Sequence, residues 1–215
     1  MRLLLTSQGL TNQTLIDCCE ELLGAPLIES KICFIPTAAN PTPGDKSWVS
    51  DEIKKWDSLV KQIDIVDIAA HKKSDWLPKL QSCDLIFVNG GNTTYLMEQV
   101  KTSGLKEEIP ELLDSRVYVG LSAGSYIACP DIRFNTDNVD YVLNGLNLVD
   151  FGLQVHMNNP KFSAIATTKT AKQRFVDKDA PYTVYFLDDN SAVKVTDDHI
   201  EIVGEGQWLK LDPQK

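Results

Sequence analysis

The feature that most constrains this chain is a rhythm of short, continuously apolar runs separated by stretches of helical length. Arg2–Thr6, Lys31–Ile35, Ile63–Ile68, Leu85–Asn89, Val117–Leu121 and Leu153–Met157 are rich in Val, Ile, Leu and Phe. Apolarity without alternation predicts strands covered on both faces, as in a parallel sheet. Between them, Thr11–Leu23, Lys46–Gln62, Thr93–Val100 and Leu105–Leu113 predict helices, with Asn92 or Thr93 placed to cap the third. Strands alternating with helices through right-handed crossovers give a three-layer α/β sandwich around a mostly parallel central sheet. The C-terminal part changes character. Thr183–Leu187, Ala192–Thr196, His199–Val203 and Gln207–Leu211 are short β runs punctuated by DDNS, TDDH and GEG. They predict an antiparallel meander closing one edge of the sheet. No linker, repeat or low-complexity segment divides the sequence, so residues 1–215 are read as one domain.

Charge and cysteine usage narrow the function. A net charge of -9 argues against nucleic acid or an anionic membrane as the main partner, since both call for a basic face. Cys18, Cys19, Cys33, Cys83 and Cys129 are an odd set without a CxxC pair, which favours reduced thiols and a cytoplasmic location. The apolar run after Arg2 is too short for a signal peptide, and no run reaches the ~20 residues of a membrane span. No His/Cys/Asp/Glu cluster has metal spacing, and NGGNT lacks the lysine of a phosphate loop, so neither metal nor other cofactor is expected.

One strand ends in an unusual way. Val117-Tyr118-Val119 runs into Gly120-Leu121-Ser122-Ala123-Gly124, a G-x-S-x-G sequence, and on through a helix-compatible stretch to Pro130. A nucleophile on a sharp strand-to-helix turn has crowded backbone angles, and glycine two places either side removes the collisions. The pattern predicts Ser122 as a nucleophile exposed at the C-terminal edge of the sheet.

A serine needs a base, and three histidines are available. His71 in AAHKKSD and His199 in TDDHIEI read as exposed loop or hairpin residues. His156 follows FGLQV, at the C-terminal end of an expected parallel strand, where open α/β sheets bind ligands. An acid must then orient the ring. Asp131, Asp137, Asp140, Asp150, Asp188 and Asp189 all stand within plausible range, and spacing does not choose among them. For an oxyanion hole, the loop Asn89-Gly90-Gly91-Asn92 lets backbone N–H groups approach a ligand, and the N–H of Ala123 supplies a second donor.

Together, VNGGNT, GLSAGSYIACPDIR, VHMNN and FLDDNSA resemble the dipeptidase E (α-aspartyl dipeptidase) family of serine peptidases. They more distantly resemble cyanophycinase and the flavodoxin-like, class I glutamine-amidotransferase-like fold. The resemblance implies Ser122 as nucleophile, His156 as base and Gly90 and Gly91 as the oxyanion loop. It implies Asp189 as the acid, one methylene shorter than the family's residue, with Asp137, fifteen places after the serine, as the reserve. It also implies hydrolysis of small peptides with N-terminal aspartyl preference, by a monomer or homodimer. The sequence departs from the family where H-x-G-E-T-R-x-x-R is expected and TTKTAKQRF stands: Arg174 is present, but the first arginine position is Ala171. Asn92, Arg133 and Arg174 are the expected substrate contacts, with Lys169 a further cation nearby. Two alternatives remain. An α/β-hydrolase esterase also uses G-x-S-x-G, but it would need His199 as base and an HGGG loop that is missing. A non-catalytic carboxylate-binding protein could occupy the same scaffold.

Overall fold

The computed structural model describes residues 1–136, 139–162 and 181–213. Five strands are parallel: β1 (Arg2–Thr6), β2 (Lys31–Ile35), β3 (Gln62–Ile65), β4 (Leu85–Val88) and β5 (Val117–Leu121), of which the edge strand β3 is partly exposed. Helices α1 (Gln13–Leu23), α2 (Ser47–Leu59), α3 (Lys73–Ser82), α4 (Thr93–Thr102) and α5 (Leu105–Leu113) connect them. A single turn of helix, α6 (Ala123–Tyr126), follows β5. The chain then forms a hairpin of β6 (Asp131–Thr136) and β7 (Val139–Asn144). It ends through β8 (Gly152–Gln154), β9 (Val184–Leu187), β10 (Ser191–Thr196), β11 (His199–Gly204) and β12 (Trp208–Leu211).

The large sheet has the order β11-β10-β1-β5-β4-β2-β3, with β10 and β11 antiparallel to the rest. Its two faces carry separate cores because successive side chains on a strand point to opposite sides. Leu4, Phe34, Phe87 and Val119 pack under Leu15, Cys19 and Leu22 of α1 and Trp56 of α2. Leu3, Leu5, Ile35, Ile86 and Tyr118 pack under Trp76, Met97, Val100 and Ile109 on α3, α4 and α5. Each fully buried side chain of this kind contributes about 1.5–3 kcal/mol. This is the α/β sandwich that the apolar runs predict. The caps are local: Asn12 accepts a hydrogen bond from Leu15 N at the start of α1, and Gly24, with φ 73°, ends it.

Three expectations change. The sixth apolar run, expected as Leu153–Met157 within the central sheet, is the short β8, which pairs parallel to β9 in a separate three-stranded sheet, β12-β9-β8. The reason is occupancy: β1 already has β5 on one side and β10 on the other, so no parallel edge remains beside it. The C-terminal strands are accordingly not one meander. The hairpin of β10 and β11 joins the large sheet, while β9 and β12 pair with each other elsewhere. Asp188 holds that divergence, its carboxylate accepting from Asn190 N, Ser191 Oγ and Gln207 N. Finally, α3 and the β6–β7 hairpin are additions to the sequence reading. The helical period of α3, carried by buried Trp76 and Leu80, is masked by Pro78 and by its charged residues. Among the described residues no helix is long and apolar enough to cross a membrane, and all five cysteines are buried free thiols.

Candidate active site

Ser122 sits where β5 ends, with φ 50° and ψ -103°, a combination an L-residue adopts only when its surroundings impose it. Those surroundings are specific. Ser122 N donates to Thr6 O at 3.1 Å, tying the turn to the neighbouring strand β1. Ser125 Oγ donates to the same carbonyl at 2.7 Å, and Tyr118 Oη donates to Gly124 O at 2.6 Å. The flanking glycines are required by contact. A Cβ on Gly124 would lie 2.1 Å from Val88 O, and one on Gly120 would lie 2.6 Å from Ser125 N. Because α6 is only four residues long, the donors at this turn are individual N–H groups rather than the end of a long helix.

His156 follows β8, with φ 60°. Its Nε2 lies 3.0 Å from Ser122 Oγ, and its Nδ1 lies 2.7 Å from Asp189 Oδ1. Phe162 stacks on the imidazole with ring centroids 4.2 Å apart and planes 14° from parallel. Asp189 is carried by the β9–β10 turn. Burial raises its pKa, but hydrogen bonds from His156, Ser7 and Asn159, with the charge of His156, outweigh that and bring it down to about 2. It is therefore an ionised acceptor over the whole working pH range. An Nδ1–H held by that carboxylate leaves the Nε2 lone pair pointing at the serine hydroxyl, the tautomer a general base needs.

The other candidates divide clearly. His71 and His199 are exposed, the first bonded to Asp67 O at 3.0 Å and the second at the start of the outermost strand β11. Asp188 is turned to its own loop, and Asp131 pairs with Arg133. Asp137, Lys169, Ala171 and Arg174 lie outside the described residues. Gly90 and Gly91 follow β4 directly beside the serine turn, and a Cβ on Gly90 would lie 3.3 Å from Ser122 Cβ. Gly91, at φ 137°, presses so closely on Ala38 that a Cβ would meet its carbonyl oxygen at 2.4 Å. Among the described residues, the N–H groups of Gly91 and Ala123 make no backbone hydrogen bond. Asn92 caps α4, its side-chain oxygen accepting from Tyr95 N at 2.9 Å.

A cleft of about 370 Å³ opens on this arrangement, lined by Gly91, Asn92, Ser122, Arg133, His156 and Phe162 among others. That is the small end of the range for ligand sites. Arg133 is a cation in its wall. Its Nε and Nη2 each lie 3.1 Å from an oxygen of Asp131, and Tyr182 Oη donates to the same carboxylate. Tyr126 Oη accepts from Gln154 Nε2 and Val155 N at 2.9 and 3.2 Å, fixing the residue before His156. Among the described residues, no three His, Cys, Asp or Glu side chains group as metal ligands.

Sequence reading missed Thr6, Ser7 and Asn159. Ser7 Oγ accepts from His156 N at 2.8 Å and donates to Asp189 Oδ1 at 2.7 Å, while Asn159 Nδ2 donates to Asp189 Oδ2. The one available signal is that the apolar run LLL ends in two hydroxyl residues at the sheet edge where ligands bind.

The chain is similar to known peptidases in sequence and fold. The sequence pattern of Peptidase family S51 matches residues 3–203. Uncharacterized peptidase Lmo0363 of Listeria monocytogenes is 34% identical over 143 residues, 62% of this chain and 69% of that one. Peptidase E of Salmonella gallinarum is 30% identical over 142 residues, but the match spans only 60% of this chain and 59% of that one. The crystal structure of a candidate Peptidase E protein from Listeria monocytogenes EGD-e superposes with a TM-score of 0.77 at 25% identity, covering 95% and 98% of the two chains. A peptidase from an acI-B1 Actinobacterium shares the fold, with a TM-score of 0.76 at 17% identity over 100% and 95%.

Proposed function

The chain belongs to Peptidase family S51, and from that premise we propose that it is a serine peptidase acting on small peptides through an acyl-enzyme. The observation that carries the proposal is the unbroken line from Ser122 Oγ through His156, at 3.0 Å, to Asp189, at 2.7 Å. In this reading His156 Nε2 takes the hydroxyl proton as Ser122 Oγ attacks the peptide carbonyl carbon. The tetrahedral oxyanion is received by the N–H groups of Gly91 and Ala123. His156 then returns the proton to the departing amine, and water repeats the sequence to release the acid. The small cleft suits a peptide of few residues.

The substrate's first side chain is a separate matter. Arg133 is the described cation lining the cleft, and its fork is already taken up by Asp131. An N-terminal aspartate must compete with that carboxylate for the guanidinium. We therefore propose that N-terminal aspartate is accepted without being required. Assays on Asp-Leu, Asn-Leu, Gly-Leu and Ala-Leu test both levels. The expected result is cleavage of several, with kcat/KM for Asp-Leu within about tenfold of Ala-Leu, about 1.4 kcal/mol of discrimination. A ratio above about 100 would reinstate strict aspartyl specificity. Failure to cut any of them while binding them would favour the non-catalytic alternative.

A further inference from the structure

Resting on the Ser-His-Asp reading above, we infer that Ser7 is a positioning residue: one hydroxyl fixes the backbone of His156 and shares the Asp189 carboxylate with its ring. Ser7 is fully buried, one residue beyond β1. The direction of its proton follows from its neighbours. Ser7 Oγ receives the N–H of His156 at 2.8 Å, so a lone pair is engaged there and its own hydrogen is available to Asp189 Oδ1 at 2.7 Å. His156 Nδ1 is 3.4 Å from Ser7 Oγ, a longer contact than the 2.7 Å it makes to the carboxylate. One oxygen thus joins three places in the fold: the end of β1, His156 two residues after β8, and the turn between β9 and β10.

Two physical needs meet at this hydroxyl. His156 holds a left-handed backbone conformation, at φ 60°, which a non-glycine residue keeps only where its surroundings hold it there. Its N–H goes to Ser7 Oγ, a side-chain acceptor. The second need is electrostatic. Asp189 Oδ1 faces both the ring and Ser7, so the hydroxyl takes a share of that oxygen's charge, while Asn159 engages Oδ2. The other groups facing the ring do not substitute for this. Phe162 covers its face, Arg133 in the same cleft is paired with Asp131, and Asp188 is turned to Asn190, Ser191 and Gln207. Without Ser7, the carboxylate holds the imidazolium more firmly.

The test is the pH dependence of kcat/KM for wild type, Ser7→Ala, Ser7→Cys and Ser122→Ala, with folding followed by circular dichroism. Ser7→Ala is expected to lower kcat roughly 10–100-fold and to move the acid limb up by about 0.5–1 pH unit. Ser7→Cys, which keeps a weak donor and acceptor of similar size, should recover part of both. A purely structural Ser7 would reduce the active fraction without moving the limb, so an unmoved limb in Ser7→Ala overturns the inference. If Ser7→Ala does not fold, Ser7→Cys decides by the same criterion: a limb displaced upward supports the role and a wild-type limb overturns it. Residual turnover by Ser122→Ala at the wild-type rate would instead remove the serine reading, and the role of Ser7 with it.

Discussion

Ser122→Ala is expected to lower kcat by roughly 10⁴–10⁶ while leaving the protein folded. The size follows from what is lost: without Oγ there is no atom to attack, and the hydrogen-bonded partners cannot provide one. The remaining activity would come from the oxyanion donors and substrate binding, which in triad hydrolases sustain about 10³–10⁴ over water. Stability should change little. The turn's backbone contacts, Ser122 N to Thr6 O and Ser122 O from Ser125 N and Tyr126 N, do not involve the side chain. Alanine carries the same Cβ into the same backbone angles, so the thermal midpoint is expected within a few degrees of wild type, about 1 kcal/mol or less. Initial rates on the most rapidly cut dipeptide, with melting curves for both proteins, check both halves. A kcat within tenfold of wild type would remove Ser122 from the chemistry.

Asp189→Asn is expected to cost about 10⁴ in kcat, close to the effect of removing the acid's charge in other triads. The local geometry makes the loss understandable. Three donors converge on the carboxylate: His156 Nδ1, Ser7 Oγ and Asn159 Nδ2. A carboxamide has one acceptor oxygen and brings an NH₂ of its own. If its oxygen stays on the side of His156 and Ser7, its NH₂ meets the amide of Asn159. If it flips, the ring is forced to the tautomer whose Nε2 carries hydrogen and cannot accept the serine proton.

The same carboxylate predicts an acid limit to stability. Its folded pKa, about 2, lies below the ordinary value of 3.8. Ionised Asp189 therefore stabilises the fold at every pH above about 4, and that contribution is lost as pH falls through about 2. Wild type should show no Asp189-linked destabilisation from pH 7 to 5. In Asp189→Asn, the part of the acid-induced loss below about pH 4 that belongs to this group should be absent from urea titrations.

How much of this was legible in the sequence depends on whether the information was local. The elbow was readable because Gly120 and Gly124 are there for contacts within a few ångströms of the turn itself, and their spacing records it. His156 was found by position at a strand end, with His71 and His199 set aside as exposed, where the structure also places them. The acid was not readable from spacing, because Asp188 and Asp189 are adjacent and only the fold shows that one faces the loop and the other the ring. Ser7 was invisible for a related reason. Its contacts with His156 and Asp189 join residues more than a hundred positions apart, and no local pattern encodes them. The C-terminal strands show the same boundary: their β character was evident, but alternation of side chains does not say which strand pairs with which, so one expected meander is divided between two sheets.

The most direct test of the central claim is covalent. A serine activated by its base attacks the phosphorus of a fluorophosphonate and expels fluoride, so the protein should gain one phosphonyl group, mapped by peptide mass spectrometry to the segment containing Ser122. Ser122→Ala and His156→Ala should gain none. Labelling that is absent from the folded wild-type protein, or that survives in Ser122→Ala, would contradict the account.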